Sequence, residues 1–377
     1  MFKLGIERID SYMHLFEGKR VGLITNPTGV SKDLRLSADI LNEKVNLTTL
    51  FGPEHGIRGN AEAGVYVDSY FDEKLNKIVH SLYGKNRRPN DEMLKDVDVL
   101  CYDMQDVGAR FYTYIYTMSH AMTAAKERGL KFVVFDRPNV LGHDIEGNIL
   151  DLTYRSFVGY YPITQRYGLT IGELAMYFND VFEINCDLEV IKMEGYRYDL
   201  DFSAYDIPWL SPSPNLPTRD SAFVYLATCI FEGTNVSEGR GTTRPFTMIG
   251  APYIDADQLC DAVSKLQIEG IKVRPIHFTP NMSKHVGEAC HGIEIFVRDH
   301  QAFKPVRAGY RILNVIRNLY PDFKFLPPWK EGQNQMIDLL TGSQDLKLNK
   351  DEALIFEGFK KDEEAFKASV KGYRLYE

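Results

Sequence analysis

Four consecutive strand-like segments, each ending in a polar loop, constrain this chain more than any other feature. Arg20 to Thr25 (RVGLIT) is a short apolar run that stops at Asn26-Pro27-Thr28-Gly29. Val45 to Phe51 (VNLTTLF) stops at Gly52-Pro53, Asp98 to Tyr102 (DVLCY) at Asp103, and Lys131 to Phe135 (KFVVF) at Asp136-Arg137-Pro138-Asn139. Helical patterns lie between them. Ser37 to Lys44 is one; Tyr112 to Arg128 is another and halts at Gly129, the residue type that most readily adopts the left-handed C-terminal position. Thr170-Ile171-Gly172-Glu173 has capping-box spacing ahead of a further helix, and Leu188 to Met193 reads as the next strand. Strands alternating with helices of this length predict βαβ units, right-handed crossovers and an α/β fold with an open, doubly wound, mostly parallel sheet.

A length of 377 residues is long for one core and predicts two domains. We place the boundary near Gly250-Ala251-Pro252, giving a larger domain over 1–249 and a smaller α+β domain over 250–377. The second part reads as a helix (Asp257 to Leu266), two strands (Ile271 to Phe278, Gly292 to Val297) and a helix (Val306 to Leu319).

The balance of 44 Lys+Arg against 52 Asp+Glu gives a net charge of −8, which argues against a nucleic-acid partner. No apolar run approaches the ~18 residues of a membrane helix, so no membrane insertion is expected. The first residues hold no apolar stretch or small-residue cleavage site, so the chain as given reads as cytoplasmic. The alternative is an exported protein whose signal is absent from this sequence. Five widely spaced cysteines without a Cys-x-x-Cys pair predict buried free thiols, not disulfides or a thiolate metal site.

Ligands of open parallel sheets bind beyond the carboxyl ends of the strands. The loops there carry Asn26; Glu54, His55 and Arg58; Asp103, Gln105, Asp106, Arg110 and Tyr112; and Asp136, Arg137 and Asn139. Each alone has a plainer explanation. Glu54 pairs with Arg58, the aspartates cap backbone N–H groups, the arginines pair with the aspartates, and Tyr112, Tyr114 and Tyr116 pack. Together, so many acids and guanidinium groups at one sheet edge are costly to bury without purpose and predict one polar cleft. A second dense segment, Asn235 to Arg244 (NVSEGRGTTR) with Glu232 just before it, adds Glu238, Arg240 and Arg244 on a Gly-rich loop that a ligand can approach closely.

Neither a dinucleotide Gly-x-Gly-x-x-Gly nor a P-loop motif occurs, and no Gly-x-Ser-x-Gly elbow supports a serine esterase. The histidines lack His-Glu-x-x-His spacing; His55 and His143-Asp144 keep a metal-assisted amidase or deacetylase as an alternative. Carboxylates helped by Arg and Tyr remain, which is the toolkit of glycoside hydrolysis.

GLITNPTGV, LFGPEHGIRG, DMQDVGARFYTYIYTM, DRPNVLG, SPSPNLPT and FEGTNVSEGRGTTRPF together resemble the bacterial exo-β-N-acetylmuramidase family, and the similarity runs from about Leu4 to the C-terminus. The resemblance implies a Rossmann-like N-terminal domain, a smaller C-terminal domain, and a cleft between them. It implies release of N-acetylmuramic acid (MurNAc) from the non-reducing ends of peptidoglycan fragments, in cell-wall turnover and recycling. The substrate is then a MurNAc-containing disaccharide or muropeptide, with no cofactor or metal expected. The Glu of the GPEHG motif, the family's proposed catalytic residue, falls on Glu54. Our own inference makes Glu54 the general acid and Asp103, Asp106, Glu232 or Glu238 the second acid, unless the substrate's acetamido group acts as nucleophile. Arg110, Arg137, Arg240 and Arg244 are candidates for the lactyl carboxylate, since guanidinium binds carboxylate bidentately. Asn26, His55, Gln105, Tyr112, Asp136, Asn139 and Asn235 complete the predicted contacts. A non-catalytic cell-wall sugar-binding protein built on the same cleft is the alternative from another class.

Overall fold

The computed structural model describes residues 2–53, 56–57, 69–84 and 87–377. A 3₁₀ segment (Gly5–Leu15) leads into β1 (Arg20–Thr25), α1 (Ser37–Lys44), β2 (Asn46–Gly52), a hairpin of β3 (Tyr70–Asp72) and β4 (Lys77–Ser81), then β5 (Val99–Asp103), α2 (Tyr114–Glu127) and β6 (Lys131–Phe135). The short strands β7 (Glu146–Ile149) and β8 (Thr164–Arg166) precede α3 (Ile171–Val181) and β9 (Asp187–Ile191). There follow α4 (Arg219–Thr228), β10 (Met248–Ala251), α5 (Ala256–Lys265), β11 (Ile271–Phe278), β12 (Cys290–Val297), α6 (Pro305–Leu319), α7 (Met336–Thr341) and α8 (Glu352–Val370).

Among the described residues seven strands form the main sheet, in the order β3-β4-β2-β1-β5-β6-β9. All neighbours pair parallel except the β3–β4 hairpin. Leaving out β3, the sequence of parallel strands is that of a Rossmann-type doubly wound sheet, with its switch point between β1 and β5. The central strands β1, β5 and β6 are buried on both faces, which explains why they read as continuous apolar runs. The expected capping box is present at α3: the Thr170 side chain accepts from the Glu173 N–H, and the Glu173 side chain accepts from the Thr170 N–H.

A three-stranded antiparallel sheet, β10-β12-β11, forms the second sheet, backed by α5. Helix α4 packs on α6 and on β12. The helices cross so closely that a Cβ on Gly309 of α6 would stand 2.1 Å from the Ala227 carbonyl oxygen, so only glycine fits there. Helix α4 thus packs on the smaller sheet although it precedes position 250 in the sequence. The Pro-rich segment at 211–217 comes just before α4. It is a packed loop in which the Trp209 indole donates to the Leu216 carbonyl, and the Pro212 carbonyl accepts from the Tyr114 hydroxyl at 2.7 Å.

The two units are not independent. One apolar core runs through α2, α3, α4, α6 and α8. The chain end also returns to the first sheet, where the Tyr376 hydroxyl donates to Asp136. All five cysteines are free thiols, as their spacing predicts. Among the described residues no helix is long and apolar enough to cross a membrane.

Candidate active site

The crevice at the switch point, where doubly wound sheets usually bind ligands, is filled. Asp103 at the end of β5 is wholly buried and forms a two-pronged ion pair with Arg137, at 2.5 Å from Nε and 2.9 Å from Nη2. The Ser37 hydroxyl donates to the same carboxylate, and Arg137 also donates to the Val30 carbonyl. Thr25 donates from Oγ1 to the Asp103 carbonyl, and Gly29 sits so close that a Cβ would lie 2.2 Å from that Oγ1. Asn26 accepts from Thr28, while Gln105 donates to the Asp106 and Pro138 carbonyls. Asn139 donates to the Leu169 carbonyl and accepts from the Leu141 N–H. Asp136 accepts from Thr170, Gly172 and Arg137 N–H. Most of the loop after β2 lies outside the described residues. The loops after β1, β5 and β6 meet, and these residues are engaged with one another. Their polar groups satisfy the strand ends in a dry interior, where an unpaired group would be costly.

Arg110 corrects another expectation. It is fully buried and donates to the carbonyls of Asn148, Ile163, Leu340 and Thr341 at 2.8–3.2 Å. Burial lowers its pKa to about 10, which still leaves it charged at neutral pH. Its guanidinium has no face for a substrate. Arg244 pairs with Glu294 at 3.2 Å and stacks over Phe296 in the second sheet. Asn235 braces Asp322, Lys324 and Tyr253. His143 lies between the Gly168 carbonyl, Tyr196 and Arg374, with burial lowering its pKa to about 4.

Asp106 is buried and accepts from the Tyr167 hydroxyl and from the Gly108 N–H at 2.7 Å; burial nevertheless raises its pKa to about 7. An unfolded Asp titrates near 3.9. Between those values the folded chain holds a proton that the unfolded chain lacks, so this group's contribution to stability falls as pH rises from about 4 through about 7. Asp106→Asn keeps the acceptor and removes the charge. It is expected to unfold with wild-type urea dependence near pH 4, and to be more stable than wild type at pH 8 by on the order of 2–4 kcal/mol. Equal stability of the two proteins at pH 8 would contradict it.

The open cleft lies further out, between the two units, with a volume of about 410 Å³. The loop after β5 and the start of α2 supply Phe111, Tyr112 and Thr113; α4 and the turn after it supply Tyr225, Cys229 and Glu232; the Gly-rich loop supplies Glu238, Arg240 and Phe246. The aromatic wall is edge-to-face throughout. Tyr112 meets Tyr114 at 4.7 Å and Tyr225 at 6.1 Å, and Tyr225 meets Phe246 at 4.7 Å. The Gly-rich loop is stapled at its base, where Ser237 and Gly250 exchange two backbone hydrogen bonds and the Phe246 N–H donates to the Glu238 carbonyl at 2.7 Å.

Four charges meet in this cleft. Arg240 donates from Nη2 to Glu232 at 2.7 Å and places Nε 3.3 Å from Glu238. Lys284 sits 2.8 Å from the other Glu238 oxygen and donates to the Phe231 and Val236 carbonyls. Burial works against the Arg240 charge, but the two carboxylates outweigh it and hold the guanidinium above its usual value. Glu238 is 2% exposed with both oxygens engaged, whereas Glu232 is 27% exposed and held through one oxygen. Glu232 can therefore touch a ligand, and Glu238 positions Arg240. Burial, then the Glu232 charge, pushes the Cys229 thiol far above its ordinary value, so it supplies no thiolate. Of the predicted site residues, the structure brings Tyr112, Glu232, Glu238 and Arg240 together here. Lys284 and the cleft-lining Trp329, 80% exposed, were not anticipated; the sequence itself shows only that Trp329 is one of two tryptophans. Glu54 and His55 lie outside the described residues. Gly52, two positions before Glu54, accepts from the Leu82 N–H at 2.8 Å, and the following residue, Tyr83, lines the cleft.

The fold and cleft define a two-domain α/β protein with paired acids and a guanidinium between the domains. The sequence matches the exo-β-N-acetylmuramidase NamZ N-terminal family over residues 21–220 and its C-terminal family over 223–376. The chain belongs to this family. It is 52% identical over 322 residues to the peptidoglycan β-N-acetylmuramidase NamZ of Bacillus subtilis (strain 168), covering 84% of this chain and 78% of that protein. Two crystal structures of DUF1343 family proteins from Bacteroides fragilis NCTC 9343 superpose over 100% of this chain and 99% of theirs. Their TM-scores are 0.90 and 0.78, at 37% and 30% identity.

Proposed function

We propose that this protein is a glycoside hydrolase, an exo-β-N-acetylmuramidase that removes MurNAc from the non-reducing end of peptidoglycan fragments. Membership in the NamZ family over both domains carries the reading. The cleft fits it: about 410 Å³ is the scale of a site for one substituted sugar, not of a groove for a long glycan. Glu54 protonates the glycosidic oxygen as general acid. Glu232 is the second carboxylate and either orients the 2-acetamido group or activates water. Arg240, a quarter exposed and already oriented by two acids, meets the lactyl carboxylate. Tyr112 offers its ring to the sugar's C–H face. Asp103 and Asp106 take no direct part in this scheme, since each is spent on internal partners.

A product assay tests the reading. The protein is expected to release free MurNAc from MurNAc–GlcNAc, with no sugar released from GlcNAc–MurNAc and no loss of rate in EDTA. Absence of product from both would overturn it in favour of sugar binding alone. Loss of rate in EDTA would point to a metal-assisted reaction.

A further inference from the structure

A second cavity of about 400 Å³ adjoins the cleft, and Tyr83, Thr113 and Phe157 line both. Its remaining wall is cationic and aromatic: Arg87, Arg155, His120, Thr117 and Tyr160 face it, and no carboxylate lines it among the described residues. The Arg155 guanidinium stacks 3.7 Å from the Tyr160 ring centroid, and that of Arg87 lies 5.0 Å from the Phe157 centroid. Neither arginine has an ion-pair partner among the described residues, whereas the adjacent Arg88 is paired with Glu127. His120 is half-buried and edge-on to Tyr160 at 5.1 Å. Burial, then Arg88, Arg87 and Arg155, lowers its pKa, so at neutral pH it is a hydrogen-bonding wall and not a third charge. Two guanidinium groups pre-oriented on aromatic faces, with no acid opposite, make a site for a carboxylate.

We propose that this pocket binds a carboxylate carried by the leaving-group side of the substrate. The proposal rests on the muramidase reading. With MurNAc in the cleft, the rest of the fragment leaves past the shared wall. The first leaving sugar, GlcNAc, is neutral. The next muramyl unit bears a carboxylate, either on its bare lactyl group or on a stem peptide attached there. The pocket thus favours longer fragments over the disaccharide.

The test compares wild type, Arg155→Ala and the double variant Arg87→Ala/Arg155→Ala on three substrates: MurNAc–GlcNAc, the tetrasaccharide (MurNAc–GlcNAc)₂, and that tetrasaccharide with a stem peptide on its inner MurNAc. Both side chains are exposed, so the variants should fold. For the longer substrates KM is expected to rise about tenfold with kcat unchanged, while kcat/KM on the disaccharide stays within twofold. Arg155→Lys should recover part of the loss. The tetrasaccharide on which the rise is larger identifies the source of the carboxylate. Amidating the inner carboxylate should reproduce the loss in wild type. Unchanged KM on both tetrasaccharides, or an equal rise on the disaccharide, would overturn the pocket's role while leaving the muramidase reading intact. If wild type releases MurNAc from none of the three, that reading falls and the pocket's role with it.

Discussion

Replacing Glu54 by Gln is expected to lower kcat for MurNAc release by about 10³-fold, with thermal unfolding unchanged. The glutamine keeps the size and one hydrogen-bonding oxygen but has no proton to give, and protonation of the leaving oxygen is where a general acid acts. Gly52, the last residue of β2, is fastened to Leu82, whose neighbour Tyr83 lines the cleft, and Glu54 comes two positions later in the sequence. Glu232→Gln should cost about 10²-fold, since it removes a charge facing the sugar but not the proton donor. Glu238→Gln should act differently. It frees Arg240 and Lys284 from a buried partner, so KM and stability should suffer more than kcat. A Glu54→Gln protein retaining a tenth of wild-type kcat would remove Glu54 from its role.

The centre of the main sheet was legible because β1, β5 and β6 are buried on both faces. β1 and β6 end where the apolar runs end, and β2, β5 and β9 differ by one or two residues; β11, partly exposed in the second sheet, also has the bounds read from its sequence. Helix α8 was not visible. Its buried positions Ile355, Phe359, Glu363, Phe366 and Val370 form a narrow stripe that includes an acid, while Leu354 is 66% exposed. Glu363 is tolerated there because Arg307 pairs with it at 2.6 Å, a partner 56 residues away. The same long-range pairing limits what the strand-end loops disclose. Asp103 and Arg137 are the residue types of an active site, and only their meeting in space shows that each satisfies the other. The Gly-rich segment is better signposted, because Glu232, Glu238 and Arg240 lie within nine residues, Glu232 in the turn that leads directly into the loop.

Arg110 is the position where reading by residue type and reading by geometry diverge most, and stability separates them. As a substrate ligand, Arg110→Met would raise KM and leave the fold alone. As the structure has it, the guanidinium ties the loop after β5 to the β7–β8 hairpin and to the end of α7, through four carbonyls. A charge this deep is tolerated because those dipoles replace water, and its lowered pKa records the remaining cost. Methionine fills much of the volume but donates nothing, so carbonyls that sequester the charge are left facing apolar atoms. Each such group costs about 1–3 kcal/mol, and some will find new partners. The expected loss is about 3–5 kcal/mol in urea unfolding, a large share of the stability of an ordinary domain. Arg110→Lys keeps the charge but cannot reach both carbonyl pairs with a planar fork, so it should recover less than half. Because α7 also lies against the turn bearing Glu232, the methionine protein should lose cleft geometry as well. Activity should therefore fall in kcat even in the fraction that remains folded. An Arg110→Met protein within 1 kcal/mol of wild type, with only KM raised, would return Arg110 to the substrate.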